Sequence, residues 1–141
     1  MNTQNNSTVQ IAQSFFEAME SNDFNAWAAK LAEDYVGDYP GLSGANRAMA
    51  QTFNSVFPVA FPDLKFEIKH TDTIGDKVIF EWSGGGTHTG PLATLSGQVI
   101  PPTGKRGKIN GVLISQVKGG KIVSEKTYWD QMELMKQLGL M

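Results

Sequence analysis

The chain has 141 residues, enough for one domain with a proper core, and its hydrophobic (40%) and charged (18%) content is that of a folded globule rather than a disordered tail. A net charge of −2 without a basic block argues against nucleic acid as the main partner. The absence of cysteine removes disulfides, thiolate catalysis and every cysteine-containing zinc site, and two histidines, His70 and His88, are too few for a multi-histidine centre.

No segment approaches the roughly 20 apolar residues that span a bilayer, so no membrane role is expected. The start, Met1 to Ser7, is polar and uncharged, unlike a secretory signal, which predicts a cytoplasmic protein. On that reading the sequons at Asn5 and Asn6 are chance matches.

In chain order, Ile11, Phe15, Ala18 and Met19 recur at helical spacing after Ser7 or Thr8, either of which can cap, with residues 1–7 expected to fray. Asp23 or Asn25 opens a second helix with Phe24, Trp27, Ala28 and Leu31 on one face. Asp34 to Pro40 breaks the pattern as a brief strand, and Pro40-Gly41 turns the chain. Ser43 then caps a third helix that turns Met49, Phe53, Val56 and Phe57 inward and ends at Pro58 and Pro62.

From residue 64 the period becomes two. Leu64, Phe66 and Ile68 alternate with charged residues, and Gly75-Asp76 turns into Val78, Phe80 and Trp82. Gly84 to Gly86 predicts a bulge, a bend or a close approach to the backbone. A third strand is expected from Leu92 to Ile100 and a fourth from Lys108 to Val117. After a turn at Lys118 to Lys121 the last strand runs to Asp130, followed by a short helix carrying Met132, Met135 and Leu138 and stopped by Gly139. Helices first and antiparallel strands afterwards is the α+β pattern, a curved sheet wrapped on a helical layer in a single domain, 1–141.

Several ordered segments carry a family resemblance: Pro40 to Gly44, Phe61 to Leu64, Gly86 to Pro91, Ile100 to Lys105, Gly120 to Val123, and Trp129-Asp130 with Gln137 to Gly139. Together they resemble the SnoaL-like polyketide cyclase group, whose fold is the cone of ketosteroid isomerase and nuclear transport factor two. The resemblance implies a general acid/base at the end of the last strand, where Asp130 stands, in an intramolecular aldol closure. The family's cyclases also use a histidine on the preceding strand and an asparagine after the second helix. Here Gln116 lies nearest the first position, and Val36 to Tyr39 has no asparagine.

Two readings stand for each candidate catalytic residue. Asp130, between Trp129 and a helix, is either a carboxylate whose proton affinity is raised by its apolar neighbours or an N-cap with lowered affinity. His88 is either an inward donor to a carbonyl or enolate oxygen, or a structural residue holding a bent strand. Tyr35, Phe53, Trp82, Gln116 and Tyr128 are the expected lining of an apolar pocket between the third helix, the sheet and the last helix.

The function expected is a small cofactor-independent cyclase- or isomerase-like enzyme acting by acid–base catalysis on an apolar, polyketide-like carbonyl compound, without a metal. A non-catalytic protein binding a small hydrophobic ligand is the alternative. An epoxide-opening hydrolase comes third, since Arg47 and Arg106 are the only arginines and both read as exposed. Ile79, Val112, Ile114 and Val123, out of phase with the inward residues, predict a homodimer through the outer sheet face.

Overall fold

The computed structural model describes residues 3–141. Helix α1 runs from Thr3 to Ser21 and α2 from Asn25 to Ala29. Strands β1 (Leu31–Tyr39) and β2 (Leu42–Ala45) lead into α3 (Arg47–Ala60). Then come β3 (Lys65–Ile74), β4 (Lys77–Thr87), the short β5 (Leu92–Ala93) and β6 (Val99–Ile100), β7 (Arg106–Lys118), β8 (Lys121–Trp129) and α4 (Gln131–Gln137). The expected α+β architecture is observed.

Six strands form one curved sheet in the order β2-β1-β8-β7-β4-β3, with the helices against one face. One pairing corrects the expectation of an antiparallel sheet: β1 runs parallel to β8. Alternation shows which side chains share a face but not which way a strand runs, because direction depends on the intervening chain. The expected third strand is also different. Leu92–Ala93 and Val99–Ile100 pair with each other in a separate hairpin, outside the main sheet.

The hairpin turns follow the sequence closely. Gly75 (φ 61°) closes β3 onto β4, and Gly119 and Gly120 (φ 58° and 77°) form the tight β7–β8 connection, both in the left-handed region that glycine enters without a Cβ clash. The glycine run keeps its register with β7 throughout, Gly84 opposite Ile109 and Gly86 opposite Gly107. Close approach is therefore its role. A Cβ on Gly84 would come within 2.8 Å of the Phe66 ring.

Helix ends differ in detail. α1 passes through Ser7 and Thr8, so neither is its cap, and residues 1–2 lie outside the described residues. Asn46, not Ser43, caps α3, its Oδ1 accepting from the Met49 amide at 2.9 Å. Pro58 sits inside the last turn of α3, where it removes a single hydrogen bond near a helix end. Met49 is 44% exposed, and Ala50, Asn54 and Pro58 form the buried stripe, with Phe53, Val56 and Phe57 half-buried beside it.

The core lies between α1, α2 and the sheet. Phe16 meets Phe80 and Phe66 edge-to-face at centroid distances of 5.4 and 5.2 Å, and Phe15 meets Trp27 at 6.3 Å. Phe80, Leu113 and Ile122 present the inward face of β4, β7 and β8, each fully buried. Burying one such side chain contributes about 1.5–3 kcal/mol, so this layer fixes the position of the polar group described next.

Candidate functional site

Among the inward residues of β8 is a charged one. Glu125 is fully buried, and its Oε1 accepts from Trp27 Nε1 at 3.3 Å, Tyr35 Oη at 2.9 Å and Tyr39 Oη at 3.4 Å. The two tyrosine hydroxyls are 2.6 Å apart. Two hydroxyl protons serve three contacts, and the Tyr39–Glu125 contact is the longest. The shorter distances order the donors as Tyr39 to Tyr35 to Glu125.

Strand β1 makes this chain possible at Gly37. A Cβ there would lie 2.6 Å from Tyr35 Oη and 2.7 Å from Tyr39 Cε2, so only glycine lets both rings fold over the strand. Asn54 stands on α3 nearby, its Nδ2 donating to the Ala50 carbonyl at 2.8 Å. Four buried oxygens here have no hydrogen-bond partner among the described residues: Glu125 Oε2, Asn54 Oδ1, Ser115 Oγ and Thr127 Oγ1. Ser115 pairs directly with Glu125 across the β7–β8 ladder, and Thr127 is two residues further along β8.

Burial raises the Glu125 carboxyl from its ordinary 4.5 to about 7, against the three donors on Oε1, which pull it down. Tyr35 and Tyr39 are both raised, first by burial and then by the Glu125 charge. The tyrosines thus stay neutral donors while the carboxyl titrates near neutral pH. A carboxyl poised there can both accept and return a proton.

Two apolar compartments flank α3. An inner cavity of about 60 Å³ lies under Trp82 and the glycine run, lined also by Phe57, Ile109, Trp129 and Leu134. A larger groove of about 820 Å³ lies between the β1–β2 turn, α3, the β5 hairpin and α4, with Phe53, Phe57, Leu92 and Met135 among its walls. The groove is of ligand size, whereas the cavity is not. Among the described residues no Asp, Glu, Lys, Arg or His lines either one. Phe53 lines the groove and stacks 5.1 Å from the Tyr39 ring, so one aromatic layer stands between the groove and the tyrosine–glutamate chain.

The residues expected to line one pocket are dispersed. Tyr35 belongs to the Glu125 cluster, Phe53 to the groove and Trp82 to the inner cavity. Gln116 donates to Asp76 at 3.2 Å, near the β3–β4 turn, and Tyr128 is 56% exposed on the outer sheet face. The geometric reason is β-alternation: Gln116 and Tyr128 have outward parity, which the buried Ser115 and Thr127 beside them make plain.

Asp130 is exposed and caps α4, its Oδ1 accepting from the Glu133 amide at 3.0 Å. It also borders an open depression on the outer face with Lys69, Tyr128 and Trp129. His88 is fully buried beside Phe61, centroids 5.4 Å apart. Its Nδ1 accepts from the Thr103 amide at 3.2 Å and lies 3.0 Å from Thr103 Oγ1, while its backbone pairs with Lys105 and Gly104. Desolvation lowers its pKa, opposed by the Gly90 backbone. It lines neither compartment. His70 is exposed and bonds Asp72 at 3.1 Å. Among the described residues no three His, Asp or Glu side chains gather as metal ligands.

Sequence reasoning missed Glu125 because a register shift hides its direction. Ile122 is inward with even parity; after the irregularity opposite Gln116 and Val117, the inward residues of β8 become Glu125, Thr127 and Trp129. Glu125 shares the odd parity of Trp129, and that was the available signal.

Helices packed on one face of a curved, six-stranded sheet define the class of ketosteroid isomerase and nuclear transport factor two-like proteins. Within that class, the chain belongs to the SnoaL-like polyketide cyclase family, whose sequence pattern matches residues 9–138. A candidate SnoaL-like polyketide cyclase of Jannaschia sp. CCS1 is similar at TM-score 0.80 and 18% identity, over 94% of this chain and 92% of that one. IdmH of Streptomyces antibioticus, a candidate polyketide cyclase, gives 0.74 and 24%, over 94% and 98%. AclR of Streptomyces galilaeus, a candidate hydroxylase, gives 0.78 and 21%, over 95% and 85%. No curated protein sequence matches the chain. Relatives described as cyclase and as hydroxylase share this fold, so the reaction must be argued from the site.

Proposed function

We propose that this protein is a cofactor-independent enzyme of the cyclase or isomerase kind, moving a proton on a neutral, apolar carbonyl compound, with Glu125 as the proton-transfer group. The observation that carries the reading is the fully buried carboxyl raised to about 7 at the end of a chain of tyrosine hydroxyls. A core designed only for stability has little use for it. Burying a carboxyl with one oxygen unpaired is costly, and an apolar residue of equal volume would avoid the cost.

The chemistry follows from the arrangement. With Phe53 turned aside, a substrate in the groove brings its carbonyl oxygen to the tyrosine hydroxyls and its α-carbon to Glu125. The carboxylate takes the α-proton, the C–H electron pair moves into the enolate, and the neutral tyrosines donate hydrogen bonds to the oxygen that gains charge. In isomerisation, Glu125 returns the proton to another carbon. In cyclisation, the enolate carbon bonds to a second carbonyl carbon within the same molecule, and Glu125 protonates the resulting alkoxide.

The test is deuterium exchange at the α-carbon of a panel of apolar ketones in D2O, followed by NMR. Glu125→Gln should slow the exchange by roughly 10²–10⁴ while leaving the fold intact. Equal exchange by wild type and variant would remove Glu125 from the reaction.

Asp130 with His88 is the competing catalytic assignment, supported for Asp130 by the depression it borders beside Trp129. A non-catalytic binding protein is the second reading of the chain. It is favoured by the absence of any ionisable side chain from the lining of the groove. We also propose the homodimer, because Val36 and Tyr128, 46% and 56% exposed, join half-buried Ile79, Val112 and Ile114 on the outer sheet face. Within that face Ile79 lies opposite Ile114 and Val112 opposite Tyr128.

A further inference from the structure

The inner cavity and the groove meet along an aromatic wall, in which Phe53 of the groove stacks on Trp129 of the cavity at 6.1 Å. Phe57 lines both. Its ring meets one aromatic from each compartment edge-on: Trp129 of the inner cavity at 5.6 Å and 88°, and Phe53 of the groove at 5.7 Å and 69°. The same two elements continue as walls on either side, since α4 gives Leu134 to the cavity and Met135 to the groove. Phe57 is half-buried, so it is not locked in the core on every side.

Volumes decide what this partition does. At about 60 Å³, the inner cavity is well below the roughly 150 Å³ that holds a benzene ring in a protein interior. With Phe57 in place the cavity takes no ring, while the groove, at about 820 Å³, takes one with substituents. Both compartments are lined without ionisable groups, so a ligand crossing between them is neutral at both ends. Phe57 is the side chain that the two linings share, so removing its phenyl group takes wall from both.

We propose that Phe57 is the specificity-determining wall of this site, setting how deep a neutral, ring-bearing ligand can reach. With the phenyl group present, the ring stays in the groove, near Phe53 and the tyrosines behind it. Without it, the ring slides under Trp82 and away from that position. This rests on the groove being the binding site, as proposed above, but not on Glu125 being the base.

The test uses 2-naphthol, a neutral two-ring probe, with wild-type protein and Phe57→Ala, observing intermolecular NOEs to methyl groups. Leu95 reports the groove alone and Ile109 the inner cavity alone. Wild type should show contacts to Leu95 and none to Ile109. Phe57→Ala should show contacts to Ile109 and bind at least threefold tighter, whereas Val56→Ala, which alters only the groove wall, should leave Ile109 silent. Phe57→Leu is the second variant, used if Phe57→Ala does not fold, and should give weaker contacts of the same kind. Contact with Ile109 in wild type, or Leu95 contacts with a silent Ile109 in both Phe57 variants, would overturn the partition and leave the groove standing. No contact with Leu95 in any protein would remove the groove reading, and the partition with it.

Discussion

The Tyr35 hydroxyl donates to Glu125 Oε1 across 2.9 Å, joining two residues separated by 90 positions and carried on the parallel β1–β8 pair. The bond ties the one parallel register of the sheet to its buried charge. A slip of β1 by one residue would turn Tyr35 to the outer face and leave the carboxyl without its shortest donor.

Stability should fall as pH rises through the neutral range. The Glu125 carboxyl is raised when folded, from 4.5 to about 7, so the folded state holds a proton that the unfolded state has released between these values. The contribution is fully present below 4.5 and is lost as pH rises through about 7, a change of about 3 kcal/mol. Urea denaturation at pH 5 and pH 8 measures it. Glu125→Gln should flatten this dependence and be the more stable protein at pH 8.

Tyr35→Phe should raise the Glu125 pKa further, because the lost hydroxyl makes the shortest hydrogen bond that favours the charged form. Carbon-13 NMR titration of the glutamate carboxyls reads this directly. A Glu125 midpoint that moves down would contradict the donor order from Tyr39 through Tyr35.

Gly37→Ala should be destabilising by roughly 1–3 kcal/mol, since the new methyl group overlaps Tyr35 Oη and Tyr39 Cε2 and neither buried ring can retreat freely. The same substitution at Gly44, which meets nothing within 4 Å, lacks that clash and carries only the strain of its φ of 68°. Tyrosine near-UV circular dichroism should change in the first variant and not in the second.

Asp130→Asn should leave stability within about 0.5 kcal/mol of wild type, because asparagine also accepts from the Glu133 amide, while Asp130→Ala should cost about 0.5–2 kcal/mol. Turnover is the separating measurement. A loss of activity in the asparagine variant at unchanged stability would make Asp130 the acid–base residue after all, and unchanged turnover would leave it a cap.

His88→Ala should destabilise by roughly 1–3 kcal/mol through the lost Thr103 contact and the space opened beside Phe61. If His88 serves only to hold the 103–105 segment, α-proton exchange should persist in the surviving folded fraction.

By itself the sequence determined the order of the four helices and the long strands, the glycine turns at 75 and 119–120, and the inward stripe of Val78, Phe80 and Trp82, but neither β2 nor the β5–β6 hairpin. These follow from local physics, in which hydrophobic period and permitted φ values act over a few residues. The tertiary structure alone decided that β1 lies parallel to β8, that Leu92 to Ile100 leaves the main sheet, and that Glu125 turns inward among Trp27, Tyr35 and Tyr39. It also separated Gln116 and Tyr128 from the interior and gave Asp130 to the start of α4. The reason is the same in each case. Strand direction and register are settled by contacts between distant segments, and one shift on β8 reverses the face that every later residue presents.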